Sequence, residues 1–352
     1  SDFNQYTVFN GYAEYTVDQI ENHFIKAMVG YNNEWGRNTY IQATARSLIT
    51  PTVPDLSTTT GNQQTTGGKS HVALQGFFYR LNYIFKDRYL LETNGRYDGT
   101  SRFPSDSRYG FFPSVSVGWR ISEEGFMSGT RSWLDNLKFR ASYGTLGNQL
   151  LGDDYYPYIS TMGSGQGPYI MSSGFIPYVS PAGLISPTLT WETVVAKNLG
   201  LDFTILNQKL DVSFDIYTRD TKDMLMNVSY PDILGTAAPK SNAADLRTKG
   251  WELSATWHDK VGTNWNYGLT LALSDNTSKI TRYLNPTGAI DQYYVGKDIG
   301  EIWAYETVGI FQTEADVAAS ANQDQLGAAW KAGDMQYADL NKDDKITPGV
   351  RT

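Results

Sequence analysis

The sequence predicts an all-β fold, a portion of a large antiparallel transmembrane β-barrel with long extracellular loops. Three observations lead there. Apolar and polar residues alternate with a period of two through most of the first 275 positions, the signature of half-buried strands. Short links alternate with long ones along the chain. The protein is also rich in aromatics (24 Tyr, 15 Phe, 9 Trp) and Gly (33) yet hydrophilic on average. Barrel strands show lipid one face and water the other, which averages to such a composition.

Two strands come first, near 5–17 and 23–34. In the next, 73–85, Ala73, Phe77, Tyr79, Leu81, Tyr83 and Phe85 oppose Gly76, Arg80 and Asn82, with Phe78 and Ile84 as exceptions. After Lys86-Asp87-Arg88, the residues Tyr89, Leu91, Thr93 and Tyr97 alternate with Glu92, Asn94, Arg96 and Asp98, completing a hairpin. Val115, Val117, Trp119 and Ile121 mark a fifth strand, and Leu137, Phe139, Ala141 and Tyr143 a sixth. The link between them, 122–136, predicts a short helix around Trp133 and Leu134. Val195 to Ile205 and Leu210 to Arg219 form another hairpin around Leu206-Asn207-Gln208. Trp251 to Trp257 and Trp265 to Leu273 form the last, for ten strands in all.

Short links at 18–22, 86–88, 206–208 and 259–264 fall at one end of the sheet. Long ones at 35–71, 99–110, 146–190, 220–248 and after 275 fall at the other. Transmembrane barrels pair short periplasmic turns with long extracellular loops in this way, whereas compact soluble domains rarely need so many long loops. Residues 1–275 thus supply about ten transmembrane strands, and 276–352 an extracellular loop region. Most runs reach the roughly 9–11 residues that cross hydrocarbon as a tilted strand. Glu92, Arg96, Arg120, Arg140, Asp211, Asp215 and Glu252 suit a wet lumen, because a dry core does not accept unpaired charge. Lys197 breaks the apolar register, at a position near the outer rim where it can snorkel. Tyr89, Trp119, Tyr143, Trp191, Trp251 and Trp265 sit where interfacial girdles are expected. The alternative is a soluble β-sandwich serving as a glycan-binding or adhesion module, whose charged face would meet bulk water.

Composition narrows function further. There is no cysteine, hence no disulfide scaffold, thiol nucleophile or thiolate metal site. A net charge of −8 argues against nucleic acid as a partner. No apolar run is long enough for a membrane-spanning helix. His23, His71 and His258 are scattered, and Gly163-Ser164-Gly165-Gln166-Gly167 forms neither a nucleophile elbow nor a phosphate cradle. Nothing points to an enzyme.

Four motifs carry a resemblance. They are the run Tyr109 to Glu124 (YGFFPSVSVGWRISEE); Trp133 to Gly144 with Gly147-Asn148-Gln149; Gly296-Lys297-Asp298-Ile299-Gly300 leading to Gly309-Ile310-Phe311-Gln312-Thr313; and Gly333 to Thr347. In this order they are similar to the SusC/RagA-like TonB-dependent transporters of Bacteroidetes-type outer membranes. The resemblance implies a 22-stranded barrel with an N-terminal plug, energised through TonB by a region not in this chain. It also implies a SusD-like lid lipoprotein over the outer mouth, and glycan or oligopeptide substrates. Ten strands with two open edges would leave backbone groups unpaired in lipid, so the expectation is a stretch of a longer protein.

Residues 155–191 hold no charged side chain. Tyr155, Tyr156, Tyr158, Tyr169 and Tyr178 there are candidate substrate platforms, since aromatic faces stack on sugar rings. The competing reading is a loop packed on itself or against the lid. Trp303, Tyr305 and Phe311 are candidates for lid or loop contact. Asp339, Asn341 and Asp343, with the Lys345 carbonyl, follow calcium-loop spacing. Asp344 in place of Gly and Val350 in place of an acid depart from that pattern, so a solvated acidic turn competes with bound Ca²⁺.

Overall fold

A computed structural model describes residues 2–149, 151–152, 154–171, 174–227, 239–285, 288–290, 292–327 and 329–347. The chain divides into two compact units, 1–276 and 277–352. The first is built on one ten-stranded antiparallel meander: β1 (Asp2–Val17), β2 (His23–Ala45), β3 (Gln63–Phe85), β4 (Tyr89–Thr100), β5 (Tyr109–Arg120), β6 (Leu134–Asn148), then β9 (Glu192–Ile205), β10 (Leu210–Asn227), β11 (Lys240–Val261) and β12 (Trp265–Arg282). A separate hairpin, β7 (Ser164–Met171) with β8 (Gly174–Val179), interrupts the long link between β6 and β9. The second unit carries a small hairpin of β13 (Thr307–Ile310) and β14 (Met335–Tyr337), and one helix, α1 (Glu314–Ala319).

All ten expected strands are present, but several run well beyond the expected ends. β2 and β3 stay paired from His23↔Phe85 out to Ala45↔Gln63, so most of the expected loop 35–71 is sheet. β10 and β11 likewise pair out to Asn227↔Lys240, within the expected loop 220–248. Most of the β2–β3 extension is exposed on both faces, and a sheet with water on both sides leaves no hydrophobic period to read. In the β10–β11 extension Ala244 is buried and Leu225 packs against a loop core instead. The expected helix at Trp133 and Leu134 is corrected too. The helical turns lie earlier, at Ile121–Glu123 and Gly125–Thr130, and Leu134 opens β6.

Antiparallel register places directly paired residues on one face. One rung runs Val17–Ile25–Tyr83–Leu91–Val117–Ala141–Leu199–Ile216–Trp251, apolar across nine strands. On β2 to β5 this apolar band ends outward in an aromatic rung, Tyr31–Phe77–Tyr97–Phe111. Toward the short turns it ends in Phe85–Tyr89–Trp119–Phe139. On β3 the two belts are eight residues apart, about 26 Å along a strand. On β9 to β11 the band instead spans from the Leu199–Ile216–Trp251 rung to the Ile205–Leu210–Trp257 rung.

The outer edge of the band is thus six residues lower on β9 to β11 than on β2 to β5, an average of one residue per strand over the six steps from β3 to β11. One residue per strand, with a rise of about 3.3 Å and a strand spacing of about 4.8 Å, corresponds to a tilt of about 35°. That is the inclination at which strands cross a membrane in a barrel. The band on β3 then stands about 22 Å tall, close to the apolar height of such barrels. The slant also sorts the girdle residues. Tyr143 and Trp251 lie at the outer edge, while Tyr89, Trp119 and Trp265 lie at the short-turn end. Trp191 is the exception. It is buried in a loop core and takes no part in a girdle.

Candidate functional site

The face opposite the apolar band is ionic, and several of its charges are paired from strand to strand. Lys26 meets Glu14 at 2.9 Å, and Arg80 meets Glu92 at 2.9 Å. The densest cluster surrounds Arg140 on β6. Its Nε and Nη2 donate to Asp202 at 2.7 and 2.8 Å, and its Nη1 and Nη2 donate to Asp215 at 3.0 and 2.9 Å. The Ser213 hydroxyl donates to Asp202 at 2.9 Å. Gly200 on β9 lies beneath this cluster: a Cβ there would stand 2.6 Å from the Arg140 guanidinium carbon, so the ion pairs would have to shift. Such charge-assisted, bidentate pairing is the strong form of side-chain hydrogen bond.

At the short-turn end Glu124 ties two strands together. It accepts from the Tyr89 hydroxyl at 2.6 Å, the Trp119 indole at 3.0 Å and Arg88 at 3.2 Å. These donors, the Tyr89 hydroxyl foremost, hold its carboxyl below the usual carboxylate range.

At the long-loop end a small core forms from Phe103, Phe112, Leu151, Leu189 and Trp191. Phe112 projects from the ionic face, on the rung of Arg96, and Gly147 leaves room for its ring. Phe103 and Phe112 meet Trp191 edge-on at 5.5 and 5.2 Å. Trp191 Nε1 donates to the Arg108 carbonyl at 3.1 Å. Asn242 closes the cluster by donating to the Thr190 and Asp223 carbonyls.

Three of the candidate tyrosines hold the loop to this scaffold. Tyr155 lies against the Arg102 guanidinium, 4.9 Å from ring centre to Cζ, while Arg102 donates to the Gly152 and Asp154 carbonyls. The Tyr156 hydroxyl is 2.7 Å from His71 Nδ1 and accepts from the His71 amide at 3.0 Å. Tyr158 donates to the Ser101 carbonyl at 3.2 Å. Tyr178 is separate, exposed on β8 and paired with Gly165. Tyr169 belongs to β7, and its side chain lies outside the described residues. Sequence reading missed Arg102 and His71 as the loop's anchors. The Arg102-Phe103 pair just ahead of the Tyr109 motif was the one available signal.

In the second unit Phe311 is buried and Tyr305 lies tilted against Tyr337 with ring centres 5.3 Å apart, whereas Trp303 is exposed. Gln323, also buried, bonds the β14 backbone at both ends of its amide. Asp339 accepts from the amides of Lys342, Asp343 and Asp344, and Asp343 accepts from that of Lys345. Asp344, in the place of a calcium-loop glycine, adopts the left-handed conformation at φ 61°. Among the described residues no three His, Asp or Glu side chains converge as a metal-binding group.

A single tilted meander with an apolar band between aromatic belts on one face and paired charge on the other defines an outer-membrane β-barrel wall. The chain belongs to the family described as TonB dependent receptor-like, beta-barrel, whose model matches residues 1–349. It is 31% identical over 80% of its length to TonB-dependent receptor P26 of Formosa agariphila, and 30% identical over 82% to TonB-dependent receptor SusC of Bacteroides thetaiotaomicron. It covers 29% and 28% of those proteins. Its fold matches the RagAB peptide transporter at a TM-score of 0.79 and 22% identity, over 99% of this chain and 37% of that one. The chain thus spans about a third of the length of its relatives. This is a SusC/RagA-type protein of a Bacteroidetes-type outer membrane, and the soluble β-sandwich alternative is set aside.

Proposed function

We propose that this chain forms wall and outer loops of an importer that carries glycans or oligopeptides across the outer membrane, driven by TonB and working beneath a SusD-like lid lipoprotein. The observation that carries the reading is the two-faced wall. Its apolar band matches a bilayer, and its opposite face presents paired carboxylates, guanidinium groups and hydroxyls to a water-filled passage. A solute would be captured at the outer mouth, sealed in by the lid, and released inward as TonB remodels the plug. No covalent step is assigned to any residue here. Tyr178 and Trp303, both exposed, offer ring surface to solute or lid. Tyr155, Tyr156 and Tyr158 act by shaping the loop.

Calcium at Asp339, Asn341, Asp343 and the Lys345 carbonyl is the cation reading of the last motif. Its support is the ligand spacing and the left-handed Asp344. Calorimetry of Ca²⁺ with the intact protein tests it, and absence of a binding heat removes it. For transport, cells lacking the intact protein and cells lacking TonB should lose uptake of the same oligosaccharide or oligopeptide. Uptake that persists without TonB overturns the proposal. The lid lipoprotein should co-purify with the intact protein in mild detergent.

A further inference from the structure

The outward, lipid-facing side carries an uneven distribution of charge. On β2 to β5 the outer edge of the apolar band is aromatic and uncharged: Tyr31, Phe77, Tyr97 and Phe111. On β9 to β11 the first rung beyond the band reads Lys197–Thr218–Lys249. The two lysines flank Thr218 on neighbouring strands, about 10 Å apart at their Cα atoms. Both are exposed, and neither has an acidic partner within 4 Å among the described residues. By contrast, Arg247, one rung further out, is held by Asp220.

Directly below Lys197 on the same face lies an open groove of about 510 Å³. Ala141 forms its floor, a short side chain between Val117 and Leu199 on one rung. Val115, Ile216 and Tyr143 complete its walls, and Lys197 and Thr218 close its outer end. An apolar groove along the wall that ends at one ammonium group and a hydroxyl, with the second ammonium group of Lys249 on the next strand of the same rung, has the chemistry of a site for an anionic lipid. In a Gram-negative outer membrane the outer leaflet supplies phosphorylated glycolipid.

We infer that this groove binds a phosphorylated glycolipid of the lipid A type, one acyl chain lying over Ala141 and one phosphate held between Lys197 and Lys249. The site rests on the outer-membrane barrel reading, with the long loops outside. Charge complementarity selects the occupant: each cation near an anionic membrane surface strengthens attachment, and two converge on one rung here. Thr218 adds a donor that can reach a phosphate oxygen seated between them.

The test uses the intact protein, purified in mild detergent from its own outer membrane, with retained lipid counted by native mass spectrometry. The wild type should carry lipid A-type adducts. The K197Q/K249Q pair should reduce them about tenfold or more, and Ala141→Phe should reduce them with no change of charge. Lys138→Gln, on the ionic face, should leave them unchanged. Delipidated wild type should rebind lipid A more tightly than its dephosphorylated form. Faster gel migration of unboiled samples confirms that each variant is folded. Equal retention by wild type and K197Q/K249Q overturns the site, as does a preference for phosphatidylglycerol or equal binding of the dephosphorylated lipid. A wild type that needs no detergent and shows no heat-dependent migration overturns the barrel reading itself.

Discussion

Arg140 and Gly200 show how one side chain can depend on a neighbour having none. The guanidinium reaches across β9 from β6 to Asp215 on β10, over the hydrogen that Gly200 carries in place of a side chain. Gly200→Ala should therefore displace the ion pairs and lower the temperature at which the unboiled protein loses its folded gel mobility. Arg140→Met, which leaves two carboxylates facing each other, should lower it further, by an amount equivalent to about 1–3 kcal/mol. An unchanged transition in both variants would show the cluster to be energetically idle. Glu124 makes a prediction about pH. Its folded-state carboxyl titrates below the ordinary value near 4.5. The stabilisation is complete above that ordinary value and is lost as pH falls through the lower folded value. Acidification through this range should loosen the wild type more than Glu124→Gln, measured by the same gel transition. Equal acid sensitivity would place the proton elsewhere.

At the level of elements, the loop over 151–160 is held by contacts that belong to its tyrosines. Tyr156→Phe removes the hydroxyl's bonds to His71 while keeping the ring against the imidazole, 5.4 Å away. The loop should then be cut faster by added protease while the wall stays folded, at a loss of about 1 kcal/mol of local stability. If cutting is unchanged and solute affinity falls instead, the hydroxyl serves the substrate. This loop also marks the limit of what could be read from sequence. The ten strands were legible because lipid on one face and water on the other impose a period of two, as in Leu210, Val212, Phe214 and Ile216. The outward ends of β2 and β3 were not, because most of Thr39 to Ala45 and Gln63 to Lys69 meets water on both sides. Those of β10 and β11 were not because Leu225 packs on a loop core that only the fold assembles. Among the candidate residues, the aromatic content of 155–178 was visible, but its attachment was not. Arg102, Ser101 and His71 are distant in sequence and carry no local pattern that would single them out. Trp191 was misassigned for a related reason: strand-end position is shared by membrane girdles and by loop cores, and only packing separates them.

For the whole molecule, the tilt gives residues on a single rung different depths. Leu81 on β3 and Lys197 on β9 are joined by an unbroken series of paired residues, through Thr93, Val115 and Tyr143. In an upright sheet they would stand at the same depth. With the outer edge at Phe77 on β3 and at Leu199 on β9, Leu81 falls at the middle of the band on β3, while Lys197 lies just beyond its outer edge on β9. A cation at mid-bilayer costs about 2–4 kcal/mol and one near the interface about 0–1. Leu81→Arg should therefore sharply reduce the fraction of intact protein that reaches the folded, heat-modifiable state. Lys197→Leu should change that fraction little, and Leu201→Arg, two rungs further in on the same strand as Lys197, should match Leu81→Arg. Phe77→Arg, at the outer belt of β3, should be tolerated. This ordering follows depth and not rung, so it separates a tilted wall from an upright one by folded yield alone. Similar losses for Phe77→Arg and Leu81→Arg would remove the slant on which the girdle assignments and the headgroup level of Lys197 and Lys249 depend.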